Sequence, residues 1–207
     1  MLQLAKRVYF AIAILIGLLI IVKSIDYFNP DFTSGFLIGK QAIFPYYRFF
    51  LYAHIIGAPV ALITGIFQFA ITRSKFHRQF GALYVASVLL IAAPGAFGMS
   101  FFSIGGVGSA INFLLMSVLW FLFTLKAYNH IRHGAVEHHK SMMTRSFILT
   151  NSAILIRVLS YLNVQFQMVE VELGYIIISW LSWLPALVAY ELISSKERLD
   201  KVREIKA

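Results

Sequence analysis

A chain of 207 residues that is 59% hydrophobic and 13% charged, with a mean hydropathy of +0.77, is too apolar for an ordinary soluble domain. Its formal net charge of +9 is what basic loops facing anionic lipid produce, so nucleic acid is not a partner the sequence argues for. The sequence contains no cysteine, which excludes disulfides, thiolate metal sites and cysteine nucleophiles.

Six apolar segments, at residues 8–25, 50–72, 80–102, 106–127, 144–164 and 172–194, each approach the ~20 residues a spanning helix needs. The runs are continuous rather than alternating, which argues against a β-barrel. The expected fold is therefore all-α, an integral membrane bundle of six transmembrane helices forming a single membrane domain over 1–207. Within it, 1–49 hold the first helix and an outer loop, 50–165 a core, and 166–207 the last helix and a tail.

Cations fall on alternate connections: Lys6 and Arg7; Arg73, Lys75 and Arg78; Lys126, Arg132, Lys140 and Arg145; and the tail from Lys196 to Lys206. All four sets lie on one side of a six-helix layout, which predicts cytoplasmic N- and C-termini in a cell (inner) membrane. The first segment has a basic start but no A-x-A-like cleavage site at the end of its apolar run, before Asp26, so it reads as an uncleaved helix.

The first helix is almost wholly aliphatic and reads as a lipid-facing anchor. Residues 23–49 are too polar to span and read as an interfacial outer loop. In the second helix His54, Gly57, Ala61, Gly65, Gln68 and Thr72 share one face. Close packing accounts for the glycines alone; His54 and Gln68 turn the face toward function, because intramembrane polar groups face a bundle interior.

His77, Gly81 and Tyr84 form an i, i+4, i+7 set at the start of the third helix. Arg78 is placed to reach a lipid phosphate or an anionic ligand. An interfacial His and Arg snorkelling to head groups explains the same residues equally well. Pro94, Gly95 and Gly98 kink the outer half of that helix, and Gly105-Gly106-Val107-Gly108 is a turn rather than a phosphate loop. His130, His133, His138 and His139 crowd one cytoplasmic connection without forming a recognised zinc signature.

The stretch from His139 to Arg157 organises the rest. The 18 residue steps between them make five turns, so His139 and Arg157 share a face about 27 Å apart, close to the thickness of a bilayer core. Met143, Ser146 and Thr150 lie between them as a polar stripe, which Gln68 and Tyr84 are placed to meet. Arg157, deep in the helix, demands a partner; snorkelling to the outer interface is the simpler alternative.

His54, the set His77, Arg78, Gly81 and Tyr84, and the run His139, Met143, Arg145 and Ser146 followed by Arg157 resemble the bacterial predicted membrane proteins grouped as DUF2306. The resemblance covers residues 50–165, with Met142 where the family often has Trp. It implies that these positions belong together, and no activity. More distantly, the layout is similar to cytochrome b561-like and ferric-reductase-like membrane proteins.

That similarity implies haem b, or another transition metal, held by His77 and His139, with Arg78 or Arg145 pairing the propionates and His54 as a further metal ligand. His54 and Arg157 would then form an outer site for a quinone or a redox partner. The resulting expectation is a membrane oxidoreductase for electron transport. The alternatives are a small-solute or ion transporter using the polar stripe, or a non-catalytic assembly protein. The sequence leaves the oligomeric state open.

Overall fold

A computed structural model describes residues 2–33, 35–70 and 75–206; Thr72 and Arg73 lie outside the described residues. Helix α1 spans Leu2–Ile25, α2 Phe44–Ala70, α3 Lys75–Ser87, α4 Ala93–Ser100, α5 Gly106–Arg132, α6 Val136–Phe166, α7 Val171–Leu181 and α8 Leu184–Lys206. No strand occurs among the described residues. Among the described residues six helical stretches are long and apolar enough to cross a membrane, with α3 and α4 together making one and α7 and α8 another. Apolar runs become helices in lipid because every backbone N–H and C=O must be satisfied inside the segment.

The expected third helix is divided. A π-turn over Val88–Ala92 separates α3 from α4, and Pro94 follows in the first turn of α4. Proline has no N–H to donate and its ring crowds the preceding turn, so the chain widens before it. Where a break or kink was expected at Pro94 and Gly95, the helix instead carries this π-turn, N-terminal to the proline.

Glycines let this divided span lie on α2. A Cβ on Gly57 would stand 2.9 Å from the Ala92 backbone nitrogen, and one on Gly95 would stand 2.6 Å from that of His54. Ser87 donates from Oγ to the Gly57 carbonyl at 2.7 Å. Small residues, with a hydrogen bond between them, hold two membrane helices at backbone distance.

The Gly105-Gly106 turn before α5 has φ values of +86° and +60°, as its sequence predicts. The histidine-rich connection differs from the expected loop. Helix α5 runs on to Arg132, only His133 to Ala135 remain between helices, and His138 and His139 already belong to α6. Gly134, at φ +74°, reverses the chain.

Helix α6 is 31 residues long, about 46 Å, and overshoots a hydrocarbon core of ~30 Å. Helix α5 packs along it, α1 lies against α2 and α6, and α7 and α8 close the other side. Trp183, at the junction of α7 and α8, donates to Asn112 Oδ1 of α5 at 2.8 Å. Arg145 of α6 meets Glu191 of α8 through two bonds, Nε to Oε1 at 2.5 Å and Nη2 to Oε2 at 2.8 Å.

Candidate ligand cavity

The stripe on α6 has two parts with different environments. In the middle of the bundle, Tyr84 Oη lies 2.6 Å from Ser146 Oγ and 2.7 Å from Thr150 Oγ1. Trp120 donates its indole N–H to Thr150 Oγ1 at 3.0 Å, and Thr124 Oγ1 is 2.7 Å from Ser146 Oγ. All five side chains are buried. This closed network ties α3, α5 and α6 together, and its hydroxyls are spent on one another. Met143 is buried one turn before Ser146 on α6.

One expected member stands elsewhere. Gln68 donates from Nε2 to the carbonyl of His77, holding the end of α2 to the start of α3 rather than joining Tyr84. Conversely, Trp120 and Thr124 come from α5, on which the sequence places no member of the stripe. Their signal was available in the i, i+4 spacing on one face, but Trp and Thr are also ordinary packing residues in a membrane helix.

Toward the Arg157 end the bundle opens into a cavity of about 370 Å3. Trp120, Leu149 and Thr150 line one part of it, and His54, Arg157, Tyr27 and Tyr175 line the rest together with apolar side chains such as Leu51, Ile55, Met116 and Ile156. His54 and Arg157, expected together, both line this cavity. Tyr27 and Tyr175, on the loop after α1 and on α7, were not singled out in the sequence because aromatic residues at a membrane interface need no further reason.

His54 is oriented from behind. Its Nδ1 is 3.0 Å from the carbonyl oxygen of Ala92, the last residue of the π-turn. A carbonyl only accepts, so in the neutral ring the proton is on Nδ1 and Nε2 keeps a lone pair. Arg157 donates one N–H to the carbonyl of Ala153 at 2.9 Å, retains exposed surface and lines the cavity. Among the described residues no carboxylate pairs with it.

The other end is arranged differently. His139 Nδ1 donates to the Ala127 carbonyl at 2.8 Å, which also leaves Nε2 as the free ring nitrogen. His77 is partly buried and Arg78 exposed. Arg145, expected to meet a haem propionate, is instead held by Glu191, Ser141 and the face of Tyr190. Neither His77 nor His139 lines the cavity. No group of three or more His, Asp or Glu suited to a metal ion occurs among the described residues; His130 and His138 pack ring on ring, 5.3 Å apart. Of the two expected propionate partners, the haem expectation is thus left with Arg78 beside His77 and His139.

Neither a comparison with curated proteins nor one with solved structures gives a match. The family described as predicted membrane protein DUF2306 matches over residues 51–194, a span that holds His54, Tyr84, His139 and Arg157 together, and the chain belongs to that family.

Proposed function

We propose that this multi-pass membrane protein binds a small, mostly apolar molecule in the cavity shared by His54 and Arg157, as a carrier site for a lipid-soluble species such as a quinone or as a station in solute passage. The observation that carries the reading is the meeting of two costly intramembrane polar groups on one apolar-walled cavity. His54 offers a lone pair and Arg157 offers N–H donors, so a ligand with both a donor and an acceptor is held at two points. With both chain ends in the cytoplasm of an inner-membrane protein, as the distribution of cations favours, the cavity opens in the outer half of the bilayer.

Native mass spectrometry of protein released in mild detergent tests this. A bound small molecule is expected in the wild type and is expected to be lost when Ala153, a cavity-wall residue, is changed to Trp. Equal retention in both proteins places any such molecule elsewhere and removes the reading. Reporter fusions at either chain end check the orientation.

A second reading has one observation in its favour. The Nδ1 bond from His139 to Ala127 is the kind of contact that orients a metal-ligating imidazole through its other nitrogen, and haem b between His77 and His139 would draw on it. A visible spectrum before and after dithionite decides the matter. Reduced α and β bands lost in His139→Ala support haem, and a colourless protein from haem-replete cells ends that reading.

A further inference from the structure

Arg157 stands among phenols. Tyr27 and Tyr175 are close enough to act on it electrostatically, and both line the cavity beside it. Tyr47 lies within the same range of these two tyrosines. It is completely buried, and its hydroxyl has no hydrogen-bond partner. Asp26, the neighbour of Tyr27, is paired with Lys23 at 3.8 Å and not with Arg157. One end of an apolar cavity therefore gathers a cation and phenolic O–H donors, and no carboxylate among the described residues lines it.

A cation inside a membrane requires a counter-charge or a water-filled route. Guanidinium and phenol together present only N–H and O–H groups suited to an oxygen anion, and such bonds are strongest when the acceptor is ionised. Below this end the walls are mostly apolar, with His54 and Ser152 among the few polar side chains. From Arg157 to Leu149 is eight residues of helix, about 12 Å, and Met116 and Ile156 lie along the way. A cavity of about 370 Å3 is at the small end of ligand sites, with room for one chain and too little for the two of a phospholipid.

We propose that the cavity takes a single-chain amphiphile whose anionic head sits on Arg157, Tyr27 and Tyr175 and whose apolar tail runs toward Leu149 and Trp120. This rests on the cavity being a ligand site, and it names the chemical class of the ligand. His54, along the wall, accepts a hydrogen bond from any hydroxyl the tail carries.

The test uses the full chain in phosphatidylcholine nanodiscs and two radiolabelled probes of equal length, dodecanoate and dodecanol, against empty nanodiscs. Dodecanoate is expected to bind at least tenfold more tightly than dodecanol. Arg157→Gln is expected to bring the two affinities together by weakening the acid alone, and Tyr27→Phe with Tyr175→Phe is expected to narrow the gap. Retained dodecanol binding shows that the variants are folded. Saturable binding of both probes with a ratio near one overturns the anionic head while leaving the cavity as a ligand site. Saturable binding of neither probe overturns both. Arg157-dependent retention of a phospholipid that dodecanoate does not displace assigns the head to a lipid phosphate and overturns the single chain.

Discussion

His54 Nδ1 donates a hydrogen bond to the carbonyl oxygen of Ala92 at 3.0 Å, so the residue that closes the π-turn also sets the tautomer of the cavity histidine. The bond has two separable consequences, one for stability and one for ligand contact.

Changing His54 to Leu removes the donor and leaves the Ala92 carbonyl facing an apolar side chain, at a cost of about 1–3 kcal/mol. His54→Asn keeps an N–H donor in the place of Nδ1 but has no counterpart to Nε2. The Leu variant is expected to melt earlier in detergent than the wild type, and the Asn variant to melt close to it while binding any hydroxyl-bearing ligand more weakly. Equal melting of all three would show that the Ala92 carbonyl finds another partner.

Gly95 sets the position of His54 through backbone contact. A methyl group there meets the His54 nitrogen at 2.6 Å and the Phe50 carbonyl oxygen at 2.8 Å, and main chain yields only by moving the helix. Gly95→Ala is expected to destabilise by about 1–3 kcal/mol, as overpacking does, and to weaken cavity binding. Gly106→Ala serves as a contrast, since nothing stands within 4 Å of its Cβ and only the φ of +60° resists; that variant is expected to lose stability and leave binding alone.

Tyr84→Phe removes the hydroxyl that joins Ser146 and Thr150. Hydrogen bonds between membrane helices contribute about 0.6 kcal/mol each, with a maximum near 1.7, so a loss of about 1–2 kcal/mol is expected in thermal or denaturant unfolding. Because the network is closed on itself, cavity binding should change little. A large loss of binding with unchanged stability would make Tyr84 a ligand contact instead.

These residues also show what the sequence discloses and what it withholds. The six spans, the GGVG turn and the Ser146–Thr150–Tyr84 face were legible because helix length and 3.6-residue spacing are local properties. His54 and Arg157 were legible as a pair because intramembrane polar residues are costly wherever they occur. The partner of Arg145 was not: Glu191 is 46 residues away and carried no spacing signal. Trp120 and Thr124 were hidden for a similar reason, since only the packing of α5 along α6 decides which of its faces is interior. The π-turn escaped notice because Val88–Ala92 looks like any aliphatic helix until Pro94 forces the adjustment.

Arg145 and Glu191 form a bidentate pair in which the arginine side chain is 8% exposed and the glutamate 42%. Breaking it from the arginine side leaves a partly solvated acid, while breaking it from the glutamate side leaves a buried cation. Glu191→Ala is therefore expected to cost more than Arg145→Ala, by about 1 kcal/mol within a total of about 2–4, less than a fully buried pair because water screens the acid. The double variant should be more stable than the sum of the two singles predicts. Additive losses in a double-mutant cycle would mean that the pair is held by its surroundings and not by mutual attraction.

Lys40, outside the spanning segments, gives the chain a pH response. Its ammonium donates to the Phe36 carbonyl at 2.8 Å and lies 4.5 Å from the centre of the Phe36 ring, yet burial holds its pKa below the ordinary lysine value of 10.5. Between the lowered folded value and 10.5, the unfolded chain binds more protons than the folded one, so stability from this group rises with pH. Below the folded value the charged lysine is a constant burden. Lys40→Met keeps the aliphatic stem and discards the charge. The variant is expected to melt higher than the wild type at pH 7, and the difference is expected to shrink as the pH approaches 10.5. A difference that stays constant over that range would show that the ammonium is as well solvated folded as unfolded, and that the Phe36 contacts compensate fully for its burial.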